Sequence, residues 1–258
     1  MVDAVKSADR VLQVFDLLAT EPQGLSFTEI RERLELPKSS AHTLLATLVV
    51  NQYITLDEGT RRYAVGLRLW QAGQAYLPAT GLEQAALPYL QNASDAVNET
   101  AQLAILDGTE NVYIAKVDAK QQLTLASRVG GRLPAYATGI GKALLSGLTD
   151  DEVRARFRGI RFTHFTPHTV TSLRALLAEL RTVRERGYAT DQGEYTPGVH
   201  CVAMPVLDRS GGICAAMSIS VPSVRMSESL HEKICKVLGN ETDALSARLG
   251  HNRRSRPA

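Results

Sequence analysis

Two short apolar-periodic segments meet at Glu35-Leu36-Pro37, and this break constrains the fold more than any other feature of the chain. A proline cannot carry a helix on from the preceding turn, because it lacks the backbone N–H and its ring clashes with the carbonyl four residues back. The first segment opens at Ser26 with Glu29 three residues on, the pattern in which a hydroxyl and a carboxylate reciprocally satisfy a helix start. Phe27, Ile30 and Leu34 give it one apolar face. The second segment is expected to take Ser39 as its cap and to run to about Asn51, with Leu44, Leu45 and Leu48 turned inward. Two short helices across a tight turn predict a helix-turn-helix.

The flanks extend that unit. Val11, Val14, Phe15 and Leu18 recur at helical spacing, predicting a helix over 7–19 that Pro22 and Gly24 close. Behind the helix pair, Tyr53-Ile54-Thr55-Leu56 and Arg61-Arg62-Tyr63-Ala64-Val65 flank a turn in which Gly59 is expected to be left-handed, a hairpin that makes the unit winged. Leu67, Leu69, Trp70, Gly73 and Tyr76 read as a connecting helix before Pro78 and Gly81. A further helix over 82–97 carries Leu87 and Leu90 and is either kinked by Pro88 or begins there.

From Thr100 the period becomes strand-like: AQLAILD, NVYIAKV, LTLAS, and then HCVAMPVLD and ICAAMSISV joined through Arg209-Ser210-Gly211-Gly212. Helical stretches lie between them at about 141–146, 151–157 and 172–186, and a last one runs over about 227–249. Antiparallel hairpins mixed with helices, without repeated βαβ units, predict an α+β class. The expected domains are a winged helix-turn-helix at 1–66, a linker helix at 67–80, a larger domain at 81–250, and a disordered basic tail at 251–258.

Composition limits the function classes. With 258 residues, 44% hydrophobic and 22% charged, the chain can bury a core and is not globally disordered. Its three cysteines, Cys201, Cys214 and Cys235, lack zinc-ligand spacing and suit a reducing cytoplasm. No signal peptide and no membrane span are read from it. Over the first 76 residues eight Lys and Arg face nine Asp and Glu, so DNA binding has to rest on where the cations fall.

In a helix-turn-helix the second helix reads bases through its first turns while flanking cations hold phosphates. The candidates are therefore Lys38, Ser39, Ser40, His42 and Thr43 at the start of that helix, with Arg61 and Arg62 on the wing, against double-stranded DNA. Taken singly, Ser39 also reads as a simple cap and the arginine pair as a solvated strand end.

A second candidate begins at Arg132-Leu133-Pro134-Ala135-Tyr136-Ala137-Thr138-Gly139-Ile140-Gly141-Lys142. Glycine permits close backbone approach, and free N–H groups at a helix start favour a carboxylate. From the residues alone this is either a carboxylate site or a glycine-rich helix entry. Ser218 and Ser220, two apart on a strand, share a face, as do Leu123 and Leu125, which can form an apolar wall.

The stretches LPKSSAHTLLATL, RRYAVGLRLWQAG, NETAQLAILDGTENVYIAKV, RVGGRLPAYATGIGKALLS, GVHCVAMPVLD and AAMSISVP resemble the IclR family of bacterial transcriptional regulators across nearly the whole chain. The resemblance implies a C-terminal GAF-like effector domain, homodimers or dimers of dimers, and palindromic operators. It also implies that Gly139 and Ile140 offer backbone donors to a small carboxylate effector while Asp191, Cys201, Ser218 and Ser220 line the other side. The function so implied is a ligand-responsive regulator, a repressor of a catabolic operon or an activator of the same kind. One departure is Thr43, where many members of the family carry arginine.

An enzyme is the rival class. G-x-S-x-G, H-E-x-x-H and a complete P-loop are absent, and His164 and His168 are separated by Thr166-Pro167, which argues against a helical metal pair. Cys201 has His200 as its nearest base in sequence, which a strand turns to the opposite face, so a small buried thiol is expected rather than a nucleophile. No catalytic residue, metal or cofactor is expected. With few cations near the pocket, the ligand is expected to be a small monocarboxylate, with an aromatic acid as one form of it.

Overall fold

The computed structural model describes residues 5–74, 81–120 and 127–251. Leu123, Leu125, most of the LTLAS run and the tail beyond His251 lie outside the described residues. Its contacts separate the chain into two compact units, Met1–Gly81 and Leu82–Ala258.

The first unit runs α1 (Lys6–Ala19), β1 (Leu25–Ser26), α2 (Phe27–Arg33), α3 (Lys38–Val50), β2 (Ile54–Asp57), β3 (Arg62–Val65) and α4 (Leu67–Gln74). Its three strands pair antiparallel in the order β1-β3-β2. Val14, Leu18, Leu25, Ile30, Leu45, Leu48 and Ile54 form one buried cluster. At the start of α2 the expected reciprocal cap is present: the Glu29 N–H donates to Ser26 Oγ at 3.3 Å, and the Ser26 N–H donates to the Glu29 carboxylate at 2.8 Å.

Two local expectations are corrected. The α3 cap is Pro37, whose carbonyl accepts the first helical bond from the Ala41 N–H at 2.9 Å, so Ser39 is the second residue inside the helix. The proline ring fixes φ at −58°, near the helical value, and the helix start carries no side-chain cap. In the wing, the left-handed residue is Arg61 at φ 54°, not Gly59. The Asp57 carboxylate accepts from the Thr60 N–H at 2.6 Å and Thr60 Oγ1 at 2.9 Å, which draws 57–60 into the turn and moves the reversal to the following residue.

The second unit runs α5 (Leu82–Val97), β4 (Thr100–Asp107), β5 (Glu110–Val117), β6 (Arg132–Pro134), α6 (Gly139–Leu145), α7 (Asp150–Arg156), α8 (Leu173–Arg186), β7 (Ala189–Gln192), β8 (Val199–Leu207), β9 (Ile213–Pro222) and α9 (Glu228–Arg248). The six strands form one antiparallel sheet in the order β6-β5-β4-β9-β8-β7. The class is α+β, as expected.

Strand alternation divides the sheet into two faces. Ala101, Leu103, Val202, Val206, Met217, Ile219 and Val221 turn to α5 and α9, where Ala86, Leu90, Ile234, Leu238 and Leu245 bury against them. Ala104, Tyr113, Ala203 and Ala216 turn the other way and meet Ile140, Ala143 and Leu144 of α6 and Val183 of α8. In α5 the helix starts six residues before Pro88, which it carries inside, and Leu87 is exposed because the inward stripe runs through Leu82, Ala86, Leu90 and Ala93. The short strands β6 and β7 have no counterpart in the sequence reading.

Candidate nucleic-acid interface and ligand cleft

On α3, Ala41, Leu45 and Leu48 face the core and leave the opposite side of the helix to solvent. Lys38, Ser39, His42 and Thr43 are exposed there and Ser40 is half-buried. Lys38, Ser39, His42 and Thr43 share one groove with Phe27, Tyr63 and the wing residue Arg61. The helix start and the wing tip thus present a single concave surface. Thr43 Oγ1 donates back to the Ser39 carbonyl at 3.2 Å, so what it offers outward is chiefly its methyl group.

The two wing arginines part company. Arg61 is exposed and pairs with Glu58, an exposed pair that contributes little and yields readily to a phosphate. Arg62 is turned inward: its Nε donates to the carbonyls of Gln23 and Gly24, both at 3.1 Å, and its guanidinium lies 3.4 Å from Glu29. In the DNA-free protein Arg62 thus serves as a tie between the wing, β1 and the start of α2. Arg10 of α1, not singled out from the sequence, lines a second groove along α3 with Ser39, Ser40 and Thr43. Nothing in its local motif marks it; only the packing of α1 beside α3 does.

In the second unit, register builds a polar line across four strands. Thr100 stands opposite Ser220, Ser220 opposite Cys201, and Cys201 opposite Asp191. One row further along, Gln102 is opposite Ser218, and its Oε1 accepts from the hydroxyls of Ser218 and Ser220, both at 3.3 Å. Its amide nitrogen donates to Ser127. The start of α6 lies over this line so closely that a Cβ on Gly139 would sit 3.3 Å from both the Asp191 backbone nitrogen and Cys201 Sγ. Thr138 caps α6 by accepting from the Gly141 N–H at 3.1 Å. The N–H groups of Gly139 and Ile140, the first two helical residues, are left without helical acceptors.

Gly139, Ile140, Asp191, Cys201 and Ser220 line one cleft with Gln102, Tyr113, Thr138, Tyr195 and Val199. Ser218 does not line it: it is fully buried beneath Gln102. Gln102 and Tyr113 were missed because nothing in a strand's own pattern tells which of its inward residues will face open space.

Burial governs the electrostatics of the cleft. It pushes the Asp191 carboxyl up to about 7, with the neighbouring Glu194 charge adding to the rise, although the carboxylate accepts the Glu194 N–H at 2.6 Å. Burial likewise pushes the Cys201 thiol up to about 12, helped by Asp191, which favours its neutral form near pH 7. Tyr113 is raised by burial and by the proximity of Cys201.

Behind the cleft lies a buried ion pair that sequence reasoning also missed. Lys142, 1% exposed, reaches Glu194 at 2.5 Å and Glu179 at 3.6 Å. A lysine in the apolar run of α6 was the available signal. Thr166 Oγ1 donates to the Gly193 carbonyl at 2.7 Å and Thr169 Oγ1 to the Glu194 carbonyl at 2.6 Å, which pins this turn to the loop before α8. Among the described residues, two buried polar atoms have no partner, Asn111 Nδ2 and Glu194 Oε2. Also among the described residues, no group of three or more His, Cys, Asp or Glu side chains is placed to hold a metal ion, and no helix is long and apolar enough to cross a membrane.

Comparison with known proteins bears on both sites. Residues 7–58 match the model of the IclR helix-turn-helix domain, and residues 74–247 match that of the bacterial transcriptional regulator IclR C-terminal domain. The HTH-type transcriptional regulator XynR of Escherichia coli is 36% identical over 247 residues, covering 96% of this chain and 98% of that one. The HTH-type transcriptional repressor AllR of Escherichia coli is 30% identical over 223 residues, covering 86% and 82%. The crystal structure of the Thermotoga maritima IclR superposes with a TM-score of 0.79 at 28% identity, covering 95% of this chain and 99% of that one.

Proposed function

This chain belongs to the IclR family of bacterial transcriptional regulators, and we propose that it is a repressor of a catabolic operon whose binding to operator DNA is set by a small organic acid held in the cleft of the second unit. One observation carries the reading. Residues as distant in sequence as Gly139, Asp191, Cys201 and Ser220 converge on a single cleft beside the first N–H groups of α6, which have no acceptor within the helix. The N–H groups of Gly139 and Ile140 suit a carboxylate, and a single one, because Lys142 is already engaged by Glu194. Leu133, Ile140, Tyr195 and Val199 supply apolar walls against which the body of the acid, aromatic or aliphatic, packs. Repression is the sign carried by the name of the relative AllR.

In this reading residues 1–66 bind DNA, 67–80 connect, and 81–250 sense. Lys38, Ser39, His42 and Thr43 face bases while Arg61, with Ser40 and Arg10 beside the helix start, faces phosphates. A homodimer or dimer of dimers on a palindromic operator in the cytoplasm follows, and in this reading the cleft binds its acid as an effector and not as a substrate.

Operator binding followed by fluorescence anisotropy, with and without a panel of small carboxylic acids, tests the proposal. At least one acid is expected to shift the operator affinity of the wild type, and Ser220→Ala is expected to abolish that shift while leaving ligand-free DNA binding intact. A response that survives Ser220→Ala unchanged would move the sensing site elsewhere.

A further inference from the structure

Asn111 and Tyr113 alternate on β5 and therefore point to the same face of the sheet, that of α6. Both are buried, but only Tyr113 reaches the cleft. The orientation of the Asn111 amide is fixed from behind. Thr138 Oγ1 accepts the Gly141 N–H at 3.1 Å and donates its own proton to Asn111 Oδ1 at 2.7 Å. The carbonyl oxygen of the amide is thereby used, and the Nδ2 donor is left on the far side, fully buried and without a partner. Such orphaned donors are rare in folded proteins, and one beside a cleft calls for an explanation. The Tyr113 hydroxyl donates to no group among the described residues.

We propose that Tyr113 is a ligand-contacting hydrogen-bond donor of the cleft and that Asn111 is its positioning residue, so that the effector carries a hydroxyl in addition to its carboxylate. This rests on the cleft reading given above. A tyrosine oxygen has one proton and lone pairs to place. If the lone pairs turn to Asn111 Nδ2, the proton turns away from it, toward the open side, and meets an acceptor on the ligand. A ligand hydroxyl completes the set, since it accepts from Tyr113 and donates to a carboxyl oxygen of Asp191, which lines the same cleft. The buried amide, on the same face of β5, then has the Tyr113 oxygen as its acceptor while the phenol proton serves the ligand. The Asn111 side chain also acts on Tyr113 in the direction of greater acidity, as a donor facing the phenol oxygen does, although burial outweighs it.

Calorimetric titration of the full-length protein with two matched pairs, 2-hydroxybutanoate against butanoate and gluconate against hexanoate, tests the inference. The wild type is expected to prefer at least one hydroxylated probe by about tenfold, the worth of one well-made hydrogen bond. Tyr113→Phe and Asn111→Asp are each expected to bring that ratio to within about threefold of unity, through a loss of affinity for the hydroxylated probe that exceeds any change for its unhydroxylated partner. The aspartate keeps an acceptor for Thr138 and removes the amide donor toward Tyr113, and the unhydroxylated probe of each pair controls for the buried acid it introduces. A structural defect would instead lower both affinities together. Retention of the full ratio in Tyr113→Phe overturns the proposal, as does a wild type that prefers neither hydroxylated probe. Ser220→Ala separates the two levels. If it abolishes binding while Tyr113→Phe leaves the ratio intact, the cleft stands and the role of Tyr113 falls; if it leaves binding untouched, the cleft reading fails and this inference with it.

Discussion

Lys142 Nζ lies 2.5 Å from Glu194 Oε1 in a setting that excludes almost all solvent from the lysine. The pair joins α6, whose first residues edge the cleft, to the turn that supplies Tyr195 and Thr196 to the same cleft. Removing one member leaves an uncompensated buried charge, which costs far more than the intact pair contributes. Lys142→Met is expected to lower the unfolding free energy by about 3–5 kcal/mol, and adding Glu194→Gln to recover part of that loss. Urea denaturation of the single and double variants measures both quantities.

Asp191 gives stability a pH slope of definite sign. Its carboxyl holds a proton up to about pH 7 in the folded domain, whereas in the unfolded chain it ionises near the ordinary value of about 4. Between those values the folded state binds the extra proton, so this group's contribution is full below pH 4 and is lost as pH rises through 7. Glu194, also raised by burial, acts in the same sense. Asp191→Asn is expected to gain stability relative to wild type on going from pH 4 to pH 7, by at most about tenfold in the folding constant per pH unit. Denaturant midpoints at pH 5 and pH 7.5 give the comparison, and a constant difference between the two proteins would exclude the titration of Asp191.

The adjacent wing arginines are expected to fail in different ways. Arg61→Ala should weaken binding to specific and non-specific DNA alike and reduce the slope of log affinity against log salt by about 1. Arg62→Ala should leave that slope unaltered and instead lower the stability of the first unit by about 1 kcal/mol, through its lost bonds to the Gln23 and Gly24 carbonyls. A salt-dependent titration and a thermal melt of each variant separate the two effects.

Two glycines of α6 are expected to differ in tolerance. A Cβ on Gly141 would overlap the backbone of Ala135, which no rotamer change relieves. On Gly139 the nearest atoms are at 3.3 Å, among them the mobile Cys201 Sγ. Gly141→Ala should therefore destabilise by about 1–3 kcal/mol or more, and Gly139→Ala by less, while narrowing the cleft and weakening effector binding. Melting temperatures with and without a responsive acid rank the pair.

What could be read in the chain beforehand follows the range of each interaction. The α2 cap lies in three consecutive steps of sequence, and the β8–β9 hairpin in one alternating run across a Gly-rich turn; both were legible. β6 and β7, three and four residues long, are too short to declare a period. Lys142 and Glu194 are 52 residues apart, with nothing local to pair them. Arg61 and Arg62 look alike as a dipeptide, yet a left-handed residue at the strand entry followed by one turned inward gives them opposite surroundings. Asp191, Cys201 and Ser220 were grouped by family resemblance, and the cross-strand register supplies the physical reason: each stands directly opposite the next.

The polar line from Thr100 through Ser220 and Cys201 to Asp191 backs onto a face made of Leu103, Val202, Ile219 and their neighbours. Each strand therefore carries two scripts in alternating letters, one spelling the packing against α5 and α9, the other spelling the polar floor beneath the start of α6. A change of one letter in the second leaves the first intact. What that floor offers can thus change one side chain at a time, over a hydrophobic face that stays as it is.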